Sequence, residues 1–464
     1  MTRRSPIPEH RVSRLWHLGR LVGGLAGGVI SEGVRQLSAG KRPSPADLLL
    51  TPANAGRLAD RLAEMRGAAM KVGQLLSMEA GEFLPPELTR ILAVLREQAH
   101  AMPLGQVATV LKRAWGDEWS TRFRRFSFTP LAAASIGQVH EAETRDGRRL
   151  AIKIQYPGVR KSIDSDIDNV ATLLRLFRVL PEGLDVEPLL AEAKRQLHEE
   201  ADYLGEARHL RDYAGRLGED AAFLVPTVDA DLTTAEVLAM SFVPGEPIET
   251  LAEAPQATRD LVATRLWDLV SREFFDWGLV QTDPNFANYR YDAASGRIGL
   301  LDFGATRPYA PEWIGAFRRL LSAALHGDRQ GIGAAATEVG YLGAGDDGAY
   351  RDAVIALIHL AAEPARAEGS FDFGTTDIAR RVSEQVLTLR LDHRYSQLPP
   401  PDVLFLHRKL GGMYLLSQRL RARVDLAGLV ARHAAGEPDI SSAPRCPAPP
   451  RPRDGACPSC PTTR

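Results

Sequence analysis

Cysteine is scarce in this 464-residue chain, and Cys446, Cys457 and Cys460 all fall within its last twenty residues. A body stapled by disulfides is therefore excluded, and a reducing cytoplasmic setting fits best. Cys457-Pro-Ser-Cys460 has the two-residue gap of a metal knuckle, with only Cys446 and His433 to complete it; the other reading is an untethered tail. Long hydrophobic runs are also missing, since nothing approaches the roughly eighteen consecutive apolar residues that span a bilayer. The uncharged stretch Leu21 to Ser31 is short, glycine-rich and without a small-residue cleavage pattern, so no secretory signal is expected. A formal charge of −1 gives no general reason to expect nucleic acid as a partner.

What is present is enough apolar residue, 44%, to bury a large core in two to four structural units. Charge is uneven: residues 1 to 42 hold eight Lys and Arg against Glu9 and Glu32, about six positive charges net, which suits an anionic membrane surface. Residues 11–38 read as a helix or helical hairpin in which glycines at 19, 23 and 27, and at 24 and 28, share faces; a loosely ordered leader is the alternative. From Pro52 to Met78 apolar residues recur at three or four as in an amphipathic helix, and two more helices are expected, from Pro85 to Ala99 and from Pro103 to Trp115.

The period then changes. Phe126-Ser-Phe128, Val139 to Ala142 and Ala151 to Ile154 alternate as strands, with a hairpin turn at Asp146-Gly147. Helices are expected at about 162–180 and 187–216, strands at Phe223 to Val225 and Val237 to Phe242, and a hinge at Val243-Pro244-Gly245. Helical periodicity dominates from Leu251 to Gly278 and from Pro311 to about Ala434, and Pro444 onward is Pro-, Arg- and Ser-rich. The expected units are a basic leader (1–50), a helical extension (51–115), a β-rich lobe (116–243), a larger helical lobe (244–435) and a disordered tail (436–464).

Chemistry concentrates in Gln281-Thr-Asp283-Pro-Asn-Phe-Ala-Asn288 and in Asp302-Phe303-Gly304, fourteen positions beyond Asn288. Asp283 and Asn288 have the five-residue spacing of a kinase catalytic loop, the Asp orienting an acceptor and the Asn ligating a metal. Asp302, at a strand end, would hold Mg²⁺ against the phosphates. Asp-Phe-Gly alone is more often a plain turn. It gains meaning from Leu150-Ala-Ile-Lys153, where a strand-end lysine stands ready for the α and β phosphates.

The phosphate-covering loop departs from the Gly-x-Gly-x-x-Gly pattern: it is Pro130-Leu-Ala132-Ala133-Ala134-Ser135-Ile-Gly-Gln-Val139. Each alanine Cβ keeps backbone amides further from a triphosphate than glycine does. This loop, Lys71-Val-Gly-Gln74, Glu200-Ala-Asp202 and the Asp283 to Asn288 segment together resemble the UbiB family (AarF or ADCK) of atypical kinases over residues 50 to 435.

The resemblance implies an α+β, two-lobed protein-kinase-like fold whose N-terminal helical extension lies across the site where a protein substrate would bind. It implies ATP or ADP with Mg²⁺ as cofactors and Lys153 paired with Glu206, or with Glu200. It also implies Lys71 and Gln74 projecting into the active site near Glu200 and Asp202. On the residues alone, Lys71 and Gln74 share a helix face that an ordinary solvated surface would also explain. The usual histidine two positions before the catalytic-loop Asp is replaced by Gln281, which can stand in as a scaffold hydrogen-bonding group. Ala310-Pro-Glu312 follows Gly304 after five residues, so either a helix begins there or an activation segment has been deleted; both disfavour a regulated kinase of polypeptides. The expected role is an atypical kinase or ATPase supporting ubiquinone biosynthesis or related isoprenoid-lipid metabolism. The partners to expect are a hydrophobic small molecule such as a prenylated quinone precursor, an anionic inner-membrane surface met peripherally, and a second copy of the chain. The alternative is a nucleotide-gated scaffold or lipid-extracting chaperone.

Overall fold

The computed structural model describes Met65, residues 67–69, 71–73, 102–176, 187–343, 345–346, 348–392 and 400–434. The leader at 11–38, the helix expected from Pro85 to Ala99, most of that from Pro52 to Met78, Gln74 and the three cysteines lie outside the described residues.

Helix α1 (Leu104–Trp115) precedes strands β1 (Phe123–Ala133), β2 (Gly137–Thr144) and β3 (Arg149–Gln155). The β2–β3 turn falls at Asp146-Gly147, where Gly147 has φ +86°, a conformation that favours glycine. The two-residue period divides β3. Leu150, Ile152 and Ile154 join Val107, Val110 and Leu111 of α1 in one core, while Ala151 packs into another on the opposite face. Lys153 shares that opposite face and points at the cleft.

Next come α2 (Val159–Leu176), α3 (Glu187–Glu200) and α4 (Tyr203–Leu217). The single helix expected over 187–216 is broken at Ala201-Asp202. Asp202 is the N-cap residue of α4, its carbonyl accepting from Glu206 N at 2.9 Å while its own N–H turns back to Glu199 O at 3.0 Å. A Cβ on Gly205 would lie 2.5 Å from Asp202 Oδ2, so the glycine leaves room for the aspartate over the first turn. The new helix axis lets α4 belong to two cores. Tyr203 and Ala207 pack with Met65, Ala68, Ala69 and Val72 of the extension, and Leu210, Tyr213 and Leu217 pack with the helical lobe.

Beyond α4 run β4 (Phe223–Leu224), β5 (Val237–Ser241), β6 (Glu246–Pro247), α5 (Gln256–Ser271) with a π-helical turn at Arg272–Asp276, and β7 (Leu279–Gln281). There follow β8 (Tyr289–Asp292), β9 (Arg297–Leu300), β10 (Thr306–Pro308), α6 (Pro311–His326), α7 (Arg329–Val339), α8 (Gly348–Ala361) and α9 (Glu363–Arg366). The described chain closes with β11 (Phe371–Asp372), α10 (Ile378–Asp392), α11 (Pro401–Leu420), β12 (Arg423–Val424) and α12 (Leu426–Ala434). One sheet has the order β1-β2-β3-β5 and a second the order β4-β9-β8-β6. The strand expected at Phe223 to Val225 forms over Phe223–Leu224 and pairs with β9 in the second sheet. The crossing between sheets is the expected hinge, where Gly245 (φ +107°) has no room for a Cβ against the backbone of Tyr291. Pro311 starts α6, and β10 pairs with β7, so the Ala-Pro-Glu sequence is a helix start. The α+β, two-lobed kinase-like fold expected from sequence is the one observed.

The extension meets the alanine-rich hairpin through backbone: a Cβ on Gly67 would sit 2.8 Å from Ser135 O. Gly67→Ala should therefore displace this seat and cost about 1–3 kcal/mol, read as a lowered denaturant midpoint with unchanged slope; a midpoint equal to wild type would show that the seat gives way freely.

Candidate active site

Three elements meet at Lys153. Its ammonium, on β3, lies 2.8 and 2.9 Å from the two carboxylate oxygens of Glu206, one turn into α4, and 3.2 Å from Asp302 Oδ2, just beyond β9. Lys153 and Glu206 are buried, at 7% and 2% exposure, and Asp302 is partly open to the cleft. Burial alone would pull the lysine down, but Asp302 and Glu206 outweigh it and hold Lys153 well above its ordinary value, fully charged. Burial pushes Glu206 up to about 7 against the pull of Lys153. At Asp302 the loss of water acts upward, yet Lys153, the Gly304 N–H (2.9 Å to Oδ1) and Lys71 together hold it below the usual carboxylate range. Of the two partners left open for Lys153, Glu206 holds it.

Asp283 sits across the cleft in the turn between β7 and β8. Asn288 donates its amide to Asp283 Oδ2 at 3.0 Å and to Asp283 O at 3.3 Å, so its amide oxygen is the atom it can offer a cation. Asp283 Oδ1 accepts from Arg408 of α11 at 2.5 Å. The next residue, Lys409, is buried behind the loop, 3.1 Å from Glu273, 3.3 Å from the Tyr289 hydroxyl and 3.4 Å from the Gln281 amide oxygen. Gln281 thus meets a lysine from another helix. Sequence reasoning missed Arg408, Lys409 and Glu273; the legible trace was a lysine interrupting the apolar stripe Leu406, Met413 and Leu416 of α11, all buried.

The alanine-rich segment forms the hairpin between β1 and β2, with Ala132 opposite Val139, Ala133 opposite Gln138 and Ala134 N donating to Gly137 O at 2.8 Å. Ala132 and Ala133 are exposed, and Ala134 and Ser135 half-buried. Ser135 donates to Glu200, and Lys71 of the extension, 4% exposed, forms an ion pair with the same carboxylate. Glu200 therefore ties the hairpin to the extension, and the solvated-face reading of Lys71 does not hold. Asp202 stands apart from that tie: its carboxylate reaches Arg208 at 3.3 Å and is partly exposed. Gln74 lies outside the described residues. His433, once a candidate metal ligand, lies between Asp276 (2.9 Å) and Asp268 (3.1 Å).

A cation fits the donor set only with help. Among the described residues no group of three or more His, Cys, Asp or Glu could hold a metal by itself. Asn288 and Asp302 supply two oxygens, the pattern of Mg²⁺ sites that complete their shell with phosphate oxygens and water. A strand lysine locked to a helix carboxylate, an Asp-x-x-x-x-Asn loop and a strand-end Asp define a phosphoryl-transfer protein of the kinase type.

Comparison with known proteins narrows that class. Residues 94–336 match the ABC1 atypical kinase-like domain. The chain is 37% identical over 427 residues to the mitochondrial atypical kinase COQ8 of Saccharomyces cerevisiae, covering 92% of this chain and 85% of the relative. It is 37% identical over 428 residues to the mitochondrial atypical kinase COQ8B of Rattus norvegicus, covering 91% and 80%. Among solved structures, Rv3197 of Mycobacterium tuberculosis, determined in complex with erythromycin, superposes with a TM-score of 0.57 at 27% identity over 82% of this chain and 95% of that one. The chain belongs to the ABC1 family of atypical kinases, which bears out the UbiB-family resemblance.

Burial raises the Glu206 carboxyl from its ordinary value of 4.5 to about 7 in the folded chain. Between those values the folded chain holds a proton the unfolded chain has lost. Its contribution to stability is thus present below the lower value and lost as pH rises through the upper. Glu206→Gln should flatten the decline in denaturant midpoint between about pH 5 and pH 8; a slope unchanged in the variant would mean another group causes it.

Proposed function

We propose that this protein is an atypical kinase or ATPase that consumes Mg-ATP in support of ubiquinone biosynthesis or related isoprenoid-lipid metabolism, its acceptor or activator being a hydrophobic prenylated small molecule at a membrane surface. The observation that carries the reading is the contact of buried Lys153 with Glu206 and Asp302, the pairing on which kinase-type phosphoryl transfer depends. Lys153 would receive the α and β phosphates, Asn288 and Asp302 would hold the metal, and Asp283 would orient the acceptor or a water. The metal supplies charge neutralisation between the phosphates. The chain's own share is positioning and a fixed electrostatic setting, which is most of what this reaction needs. The Ala132 to Ser135 hairpin, tied down through Glu200, supports a nucleotide pose unlike that under a glycine loop.

The named relatives are mitochondrial proteins. Among the described residues no helix is long and apolar enough to cross a membrane. Both fit peripheral contact with a membrane through the basic residues 1–42. A second reading, a nucleotide-gated scaffold without stoichiometric phosphoryl transfer, draws on the Lys71 to Glu200 tie, which joins the extension to the alanine-rich hairpin. A Lys153 variant that binds ATP without hydrolysing it would still complement a null strain under the scaffold reading and fail under the enzymatic one.

Asp302→Asn should abolish Mg-nucleotide binding in calorimetric titration; affinity equal to wild type would sink the assignment of Asp302 and with it the kinase-type site. In the same preparation, vesicles carrying a phenolic quinone-precursor analogue should raise Mg-ATP turnover in the wild type alone.

A further inference from the structure

One helix grips the catalytic loop at three successive points, and it lies outside the matched domain of residues 94–336. Arg408 Nη2 reaches Asp283 Oδ1 at 2.5 Å, Lys409 Nζ reaches Gln281 Oε1 at 3.4 Å, and Gly412 presses backbone-first on Pro284, where an added Cβ would stand 2.2 Å from the proline Cβ. The loop's own contact, Asn288 to Asp283 Oδ2, fixes the carboxylate within the loop but not against the lobe. Arg408 supplies the missing restraint: its side chain is only 11% exposed, and it takes the other carboxylate oxygen from an element 125 positions away. Lys409 cannot easily leave its site, because Glu273 would then be a buried carboxylate without a counter-ion.

We propose that Arg408 is a positioning residue for phosphoryl transfer, holding the Asp283 carboxylate at the orientation from which it directs the acceptor. The inference rests on the reading of Asp283 given above and deepens it. Kinase-type transfer relies on placement more than on covalent chemistry, and a displacement of about 1 Å can cost on the order of a hundredfold in rate. Arginine suits the task because its planar fork fixes direction as well as charge, which lysine does not. Arg408 pairs with Asp283, whereas Lys153 pairs with Glu206 and Asp302, so loss of Arg408 should spare nucleotide binding.

The test uses the full chain as wild type, Arg408→Gln, Arg408→Lys, Asp283→Asn and the Arg408→Gln/Asp283→Asn double variant. Mg-ATP affinity, kcat, KM and amide hydrogen exchange of the peptide covering residues 281–289 are measured for each. Arg408→Gln should lower kcat about 10- to 100-fold and leave Mg-ATP affinity within about twofold. Exchange of the loop peptide should rise about tenfold or more as the restraint is lost. Arg408→Lys should recover part of both, and the double variant should be no slower than Asp283→Asn beyond about twofold. Wild-type kcat with unchanged exchange in Arg408→Gln overturns the proposal. So does a rise in KM for Mg-ATP with kcat intact, which would put Arg408 on the nucleotide, or a double variant slowed by the full product of the single effects. If the wild type binds Mg-ATP but turns nothing over, the ATP-consuming reading fails, and the exchange measurement alone then decides whether Arg408 holds the loop.

Discussion

A lysine that keeps its charge almost out of reach of water must be met by carboxylates, and Lys153 meets two from different parts of the chain. Much of the architecture is arranged around that requirement. The register of β3 turns Lys153 away from the α1 core and toward the cleft. The break before α4 lets Glu206 approach from a second direction, and the end of β9 delivers Asp302 from the opposite lobe. A buried pair of this kind is a weak source of stability, since desolvation consumes most of the Coulomb attraction. Its value lies in specificity: the lobes close on one geometry, because any other leaves a charge stranded.

The neighbouring carboxylate, Glu200, organises the rim of the site in the same manner at a lower level of burial. It draws Ser135 from the hairpin and Lys71 from the extension, so two elements that would otherwise bound the cleft independently share one acceptor. With Ala132 and Ala133 exposed above it, the hairpin gains its order from this side-chain tie in place of a glycine backbone cradle. The described part of the extension, through Lys71, therefore belongs to the rim's construction.

The parts of the site that were legible in the sequence are those whose partners are local or whose residue types are restricted by the chemistry. Asp283, Asn288 and Asp302 declare themselves by spacing, and Lys153 by ending an alternating strand. The family resemblance put Glu206 ahead of Glu200, but only the fold shows that Asp202 divides the helix and gives the two glutamates different partners. The Lys71 to Glu200 contact was within reach through family resemblance, because periodicity alone puts Lys71 on an ordinary helix face. Arg408 and Lys409 were out of reach because their meaning depends on residues more than a hundred positions away, and a basic pair on a helix is usually solvated. The pairing of Phe223–Leu224 with β9 was out of reach for the same reason: a two-residue strand carries no periodicity from which to infer its neighbour.

Arg408 and Lys409 are adjacent on α11, so their side chains leave the helix about 100° apart around its axis. One reaches forward to the cleft and the other backward into the lobe. A helix anchored in two directions cannot roll about its axis without releasing both anchors together, and it cannot slide with Gly412 wedged on Pro284. The catalytic loop is thereby tied to the rigid frame of the larger lobe. The side of the cleft built from the hairpin and the extension is fastened differently, by the Gly67 seat on Ser135 and by the Ser135 and Lys71 side chains that converge on Glu200.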